Sequence, residues 1–138
     1  IMRGASDEVS MAFAADHPRI GHCAWNELIT SDQAAALHFY GVRFGWVKDG
    51  EMDMGPMGSY DFLRHGVMMG AMMKASGEMG PPHWNFYFRV IDIDVAHATA
   101  KANGGTIVSE PHEVPGGDFV LHGIDPQGAF FALVGARA

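Results

Sequence analysis

Several features that mark specialised classes of protein are scarce in this 138-residue sequence. It has one cysteine, Cys23, which excludes an internal disulfide and fits a reducing compartment such as the cytoplasm. Its longest apolar run, residues 67–73, is far too short to cross a bilayer, and no charged-then-apolar leader opens the chain. We therefore expect a cytoplasmic protein with no membrane partner.

Positive charge is also scarce. Nine lysines and arginines stand against sixteen aspartates and glutamates, which gives a formal net charge of −7 at pH 7. The sequence has no basic cluster that could neutralise the phosphates of a nucleic acid. Its glycine-rich stretches do not stand between a strand and a helix, as phosphate-binding loops do. We therefore expect no nucleic-acid partner and no cofactor.

The remaining composition is that of an ordinary globular domain, with 48% hydrophobic residues. Residues 1–21 show no periodicity and are interpreted as an N-terminal arm. The sequence begins with Ile1, and Met11 is an alternative native start, in which case the preceding residues would be foreign to the native protein. Residues 22–138 are interpreted as a single domain.

One pattern occurs twice along this domain. "HCAWNELITSDQAAALHFYGVRFGW" begins at His22 and "HWNFYFRVIDIDVAHATAKANGG" begins at His83, and each predicts a strand followed by an alanine-rich helix. Three further strand signals follow each helix, at residues 46–52, 59–64 and 67–74 and at residues 106–109, 119–124 and 129–134. Pro81 and Pro82 separate the two modules, residues 22–80 and 83–135. The pattern predicts an α+β fold made of two βαβββ modules.

Local signals also predict how the two helices begin. Thr30 and Gln33 have the spacing of a capping box at the first helix. Asp92 is the expected N-cap of the second helix, and Gly104 follows its end.

The duplicated pattern, with "HFYGVRFGW" after the first strand and "DPQGAFFALV" near the end, resembles the vicinal oxygen chelate superfamily. That superfamily includes glyoxalase I, extradiol dioxygenases and bleomycin-resistance proteins. The resemblance covers about residues 22–135, and "WNELITSD" and "HWNFYFRV" further resemble a subgroup of paired-domain proteins labelled glyoxalase-like or hydroxylase-like. It implies a cupped mixed sheet around a cavity, with the helices outside, and a tendency to form homodimers.

In the metal-dependent members of that superfamily, four side chains of the cup bind one divalent ion. The resemblance places these four positions at Trp25, Gly70, Asn85 and Ala132. Such ions need several imidazole, carboxylate or thiolate donors, which these residues do not supply. We therefore expect no metal at the usual site, although His22 and His83 lie nearby as alternative ligands.

Strand alternation predicts which side chains line the cup. It places Trp25, Glu27 and Ile29 towards the cup, and Leu28 towards the first helix. On the other strands it places towards the cup Met68, Gly70, Met72, His83, Asn85, Tyr87, Arg89, Phe130, Ala132 and Val134. Alternation also places Phe86, Phe88 and Val90 beneath the second helix. Methionine and aromatic walls with a few polar groups are typical of a small-molecule site.

Glu27 is the main candidate for a functional group, because a carboxylate is rarely buried without a partner. One interpretation is a structural ion pair with Arg89. The other is contact with a ligand, in which the desolvated carboxylate serves as an acid or base. His83 is interpreted either as a ligand contact or as a rim histidine bonded to the backbone. The remaining histidines are expected at surface or packing positions: His38, His65, His97, His112 and His122.

Four functions remain open on this evidence. The first is metal-free binding of a small, largely apolar organic molecule in the cup, for sequestration or sensing. The second is an enzyme of the lyase, isomerase or oxygenase type that uses Glu27 with Tyr87 or His83 as acid and base. The others are a metal-dependent member with shifted ligands and an interaction module whose cavity its own side chains fill.

Overall fold

Eight strands and two α-helices make up residues 18–138, the part of the chain that the computed structural model describes. The first module contains β1 (Cys23–Thr30), α1 (Gln33–Phe44), β2 (Val47–Asp53), β3 (Ser59–His65) and β4 (Val67–Lys74). The second contains β5 (His83–Asp92), α2 (Ile93–Ala102), β6 (Thr106–Glu113), β7 (Phe119–Ile124) and β8 (Phe130–Ala136). The predicted order βαβββ is thus confirmed in both modules. Most of the predicted arm, residues 1–17, lies outside the described residues.

The strands form one mixed sheet in the order β2-β3-β4-β1-β5-β8-β7-β6. The modules meet where β1 pairs with β5 in antiparallel fashion, with Asn26 opposite Phe86. On either side of this centre, β1 pairs with β4 and β5 pairs with β8, both in parallel. The predicted α+β class with a mixed sheet is confirmed. We call the face of the sheet that carries Glu27 the cup face.

The start of α1 differs from the predicted capping box. Asp32 is the N-cap, and its side chain accepts a hydrogen bond from the backbone N–H of Ala35. The side-chain amide of Gln33 instead donates to the carbonyl of Ser59 and to the carboxylate of Asp61, at 2.9 Å each. Gln33 therefore anchors α1 to β3 rather than capping the helix. At α2 the prediction is confirmed, because the Asp92 side chain accepts from two backbone N–H groups. Neither of these helices is long and apolar enough to span a membrane.

The core of the first module lies between the sheet and α1. Leu28, Leu63 and Met72 are buried there against partly buried side chains of the helix and the neighbouring strands: Ala36, Leu37, Tyr40, Trp46, Met69 and Trp84. The predicted orientation of Leu28 towards α1 is confirmed. The predicted orientation of Met72 towards the cup is wrong.

The error comes from a register shift of one residue on β4. Leu63 pairs with Gly70 but Arg64 pairs with Met68, so Met69 is an extra residue in the ladder. Ala71 pairs with Glu27 in the same way as Ala132 pairs with Tyr87. The counterpart of Ala132 is therefore Ala71 and not Gly70. A shift of one residue turns every side chain to the opposite face, which moves Met72 beneath α1.

The outer face of β5 is less covered than predicted. Phe86 and Phe88 remain 50% and 39% exposed, so they are not packed under α2. The reason is that α2 packs mainly on β6 and only weakly on β5. These two side chains form an exposed apolar strip near the centre of the sheet, on the face opposite Glu27.

A close approach of two backbones makes Gly70 sensitive to substitution. A Cβ atom there would lie 1.9 Å from the carbonyl oxygen of Asn26, an overlap that only a movement of β4 away from β1 could relieve. We predict that Gly70→Ala lowers the free energy of unfolding by about 3 kcal/mol or more. Urea denaturation followed by tryptophan fluorescence measures this loss.

Gly77→Ala is the matched control, because a Cβ at Gly77 would meet no atom within 4 Å. It should change the free energy of unfolding by less than about 1 kcal/mol. Equal stability of the two variants would contradict the close contact of β4 with β1.

Candidate ligand site

The carboxylate of Glu27 lies at the centre of the cup face, with only 8% of the residue exposed. One of its oxygens, Oε2, accepts a hydrogen bond from the hydroxyl of Tyr60 on β3 at 2.8 Å. The other, Oε1, accepts from the hydroxyl of Tyr87 at 3.1 Å and from Nδ2 of Asn85 at 3.3 Å, both on β5. Three uncharged donors from two strands therefore hold this carboxylate in one position.

Each of the two phenols also accepts a hydrogen bond from an N–H group. Nε1 of Trp25 donates to the hydroxyl oxygen of Tyr60 at 2.9 Å. Nε2 of His122, on β7, lies 2.7 Å from the hydroxyl oxygen of Tyr87. Because the only hydroxyl proton of Tyr87 points to the carboxylate, His122 is the donor in this contact and carries its proton on Nε2. Two chains of hydrogen bonds thus converge on Glu27, and each polarises the next bond in its chain.

The environment keeps all members of this cluster except Glu27 uncharged. Burial, together with the negative charge of Glu27, raises the pKa of Tyr60 and of Tyr87 well above the usual value, so both phenols keep their protons. Burial lowers the pKa of His122, which favours the neutral imidazole. Glu27 is therefore the source of negative charge in a shell of neutral donors.

No lysine or arginine of residues 18–138 forms an ion pair with Glu27. The guanidinium of Arg89 binds the carboxylate of Asp118, which precedes β7. The interpretation of Glu27 as the structural partner of Arg89 is therefore wrong. The carboxylate is stabilised by hydrogen bonds alone. Burying a charge without an oppositely charged partner is unfavourable for folding, so stability does not explain why Glu27 is there.

The structure brings together part of the predicted set of cup residues. Trp25, Asn85 and Tyr87 lie around Glu27 as predicted. Ala132 and Val134 pack with Tyr87 and the β7 residue Val120 in a second buried cluster, which also confirms their predicted face. Phe130 lies beside His122, with 5.8 Å between ring centroids, and is half-exposed.

Other predicted cup residues lie away from this cluster. His83 is tied to the backbone, with Nδ1 2.6 Å from the carbonyl oxygen of Pro81, which matches its interpretation as a rim histidine. Met68 is half-buried beside the extra residue Met69.

Burial raises the pKa of the Cys23 thiol, so this residue is not a ready nucleophile.

His122, expected at a surface or packing position, is half-buried and packs against the rings of Tyr87 and Phe130, but it also belongs to the hydrogen-bonded cluster, and a signal for that place was present. The Asp125–Gly128 turn pairs Ile124 with Phe130, and counting back along the hairpin places His122 opposite Ala132. Paired residues share a face, so His122 belongs to the cup. Tyr60 offered no comparable signal, because its place depends on the register of β3 and β4 around Met69.

The residues at the expected metal positions do not fit a divalent ion. With the register of the structure, these positions are occupied by Trp25, Ala71, Asn85 and Ala132. They provide neither imidazole nor carboxylate nor thiolate groups, which such ions require. Residues 18–138 also contain no group of three histidine, cysteine, aspartate or glutamate side chains placed to hold a metal.

Comparison with known proteins agrees with this architecture. Residues 19–133 match the model of the Glyoxalase/Bleomycin resistance protein/Dioxygenase superfamily. The chain is 35% identical over 116 residues to "Putative glyoxylase CFP32" of Mycobacterium tuberculosis, a match that covers 83% of this chain and 44% of that protein. It is 28% identical over 127 residues to the anthracycline biosynthesis protein DauV of Streptomyces sp., with 82% and 46% covered. The chain thus spans less than half the length of these relatives.

Solved structures with the same fold include methylmalonyl-CoA epimerase of Streptomyces coelicolor. That structure has a TM-score of 0.65 and 16% sequence identity, and the match covers 87% of this chain and 97% of that one. A hypothetical protein of Bacillus halodurans has a TM-score of 0.63 at 17% identity, with 83% and 93% covered. At these identities the likeness establishes the fold.

The hydrogen bonding of Glu27 makes a prediction about stability. Glu27→Gln should change the free energy of unfolding by no more than about 1 kcal/mol, because it removes a buried charge while the amide still bonds to the phenols. Urea denaturation at pH 7 measures this change. A loss of about 3–5 kcal/mol would instead indicate a buried cationic partner.

Arg89→Met provides the second arm of a double-mutant cycle. Because Arg89 acts through Asp118, its effect should add to that of Glu27→Gln with a coupling energy below about 0.5 kcal/mol. A larger coupling energy would mean that Arg89 interacts with Glu27 as well as with Asp118, and would contradict the structure.

Proposed function

Since the chain belongs to the Glyoxalase/Bleomycin resistance protein/Dioxygenase superfamily, we propose that it binds a small, largely apolar organic molecule on the cup face, at Glu27. We propose further that binding needs no metal ion at the positions that metal-dependent members use. The observation that carries this proposal is the buried carboxylate of Glu27, which neutral donors orient and which has no cationic partner among residues 18–138.

The cost of this arrangement supports a role in binding. Replacing a buried charged group with a well-packed apolar one is often neutral or stabilising, so stability alone does not account for Glu27. Titratable groups with shifted pKa values, such as Tyr60, Tyr87 and His122, also concentrate at functional sites. The buried residues next to this group are apolar, because Val120, Ala132 and Val134 pack beside Tyr87. A polar anchor within an apolar wall is the usual composition of a small-molecule site.

A second candidate function is acid–base chemistry on the bound molecule. The fixed position of the Glu27 carboxylate favours it, because a carboxylate held by Tyr60, Tyr87 and Asn85 is placed to take a proton from a bound molecule. Glu27 would be the base in this reaction. His83 does not support such a role, since its ring is bonded to the backbone of Pro81.

The first test is metal analysis of protein purified without chelators, followed by a thermal-shift screen of small organic molecules. We predict less than stoichiometric zinc, iron or nickel, and an unfolding temperature that a chelator does not change. Molecules that raise the unfolding temperature should also shift the Trp25 Nε1–H resonance, because that group belongs to the hydrogen-bonded cluster.

Two variants give this test its control. Glu27→Gln should weaken the stabilisation by these molecules, whereas Glu78→Gln, which changes an exposed carboxylate of a 3₁₀ turn, should leave it unchanged. One divalent ion per chain bound in the cup would overturn the metal-free proposal. Ligands that act equally on Glu27→Gln and the parent would overturn the role of Glu27.

We also propose that the domain pairs with a second copy of itself through the apolar strip of Phe86 and Phe88. Exposed phenylalanines in the middle of a sheet leave apolar surface in contact with water, which association would remove. The lengths of the curated relatives, about twice that of this chain, agree with the pairing of two such units.

Sedimentation analysis at tens of micromolar should therefore show a dimer. Phe86→Glu combined with Phe88→Glu should shift the protein to the monomer, because two carboxylates would be buried in the interface. Met57→Glu, which changes an equally exposed apolar residue outside the strip, should leave the dimer intact. A parent protein that is only monomeric would contradict the proposal.

A further inference from the structure

The side-chain oxygen of Asn85 is a buried acceptor without a hydrogen bond. Asn85 is only 7% exposed, and its Oδ1 atom has no partner among the described residues. Buried polar atoms are nearly always paired, because an unpaired one costs about 1–3 kcal/mol. An orphaned acceptor within the Glu27 cluster therefore indicates a place where a donor from outside the described chain binds.

The orientation of the Asn85 amide follows from its neighbour. Its Nδ2 atom donates to Oε1 of Glu27, and the opposite orientation would place two oxygens with lone pairs against each other. Oδ1 is therefore fixed on the side of the amide away from Glu27. Flipping the amide would not give Oδ1 a hydrogen-bond donor, because it would then face an oxygen of Glu27. The missing partner must be a hydrogen-bond donor.

The charges around the cup indicate what kind of donor fits. Glu27 is held by uncharged groups, and the guanidinium of Arg89 is already bound to Asp118. The imidazole of His122 donates to Tyr87. A buried carboxylate beside an unfilled acceptor gives a negative potential that attracts a cation and repels an anion. A positively charged N–H group would both donate a hydrogen bond to Oδ1 of Asn85 and balance the charge of Glu27.

We infer that the molecule bound at Glu27 carries a cationic nitrogen, such as a protonated amine or an amidinium, which donates to Oδ1 of Asn85 within the field of the Glu27 carboxylate. This inference rests on the proposed small-molecule function and adds the charge class of the ligand. Discrimination comes from the carboxylate, because an anionic head group would meet an unpaired negative charge, and a neutral one would leave that charge without a counterion.

Three probes of one chain length test this charge class: n-butylammonium, 1-butanol and n-butyrate. They are titrated at constant ionic strength up to about 50 mM, since fragments of this size bind weakly. The Trp25 Nε1–H and Asn85 side-chain NH₂ resonances report binding in the cup. We expect butylammonium to shift both resonances in a saturable way, and butyrate to shift neither.

Glu27→Gln should weaken butylammonium binding at least about tenfold, which is the loss of a close charge pair in a partly buried site. Glu78→Gln, at an exposed position, should bind the probe like the parent protein. Unchanged affinity of Glu27→Gln would overturn the inference, and the resonances of the folded variant show in the same spectra whether it has kept its structure.

Failure of the inference can be told apart from failure of the proposed function. If 1-butanol or butyrate binds the cup at least as tightly as butylammonium, the cationic class is wrong while small-molecule binding stands. If none of the three probes shifts the two resonances, the cationic class is also wrong. The thermal-shift screen with larger molecules then decides independently whether the cup binds small molecules at all.

Discussion

The antiparallel register of β1 and β5 is the constraint on which the site depends. With Asn26 opposite Phe86, Glu27 comes to lie opposite Asn85 and Trp25 opposite Tyr87. Residues directly opposite, and long side chains on the diagonal, are close enough for side-chain bonds, so this register brings Asn85 and Tyr87, two of the three donors, to the carboxylate. A slip of one residue would turn Leu28 to the cup face and Glu27 into the apolar core beneath α1.

Because the module is duplicated, β1 and β5 carry equivalent positions, and two of these lie diagonally across the β1–β5 pair. Glu27 of the first module and Tyr87 of the second occupy the same place in their strands, next to Ala71 and Ala132 respectively. One position holds the acceptor and the other a donor, so the two copies complement each other. The third strands also differ, since the apolar Phe62 flanks Ala71 and the hydrogen-bonding His122 flanks Ala132. The asymmetric chemistry of the cup thus comes from substitutions within a symmetric backbone.

The features that could be predicted from the sequence are those that local rules determine. Strand periodicity and turn residues were sufficient for the order of elements, and alternation along single strands was sufficient for the faces of Glu27, Asn85 and Ala132. Features that depend on an irregular register between two strands, or on contacts between distant segments, could not be predicted. The extra residue at Met69 reversed the expected face of Met72, and the Asp118 partner of Arg89 comes from a segment that no local rule connects to β5. His122 is different, because the turn before β8 fixed its register and alternation would have placed it in the cup.

The two faces of β1 differ in character, because one carries an apolar core and the other carries a polar network. Leu28 belongs to the buried cluster with Leu63 and Met72, whose apolar burial stabilises the first module. Its neighbour Glu27 points the opposite way, into a polar network that contributes little net stability for the charge it buries. Because the apolar core does not depend on the carboxylate, the chain can carry a costly polar group at the centre of its sheet and still fold. Apolar clusters on both faces of the sheet therefore maintain the fold, and the polar network around Glu27 is an addition to them.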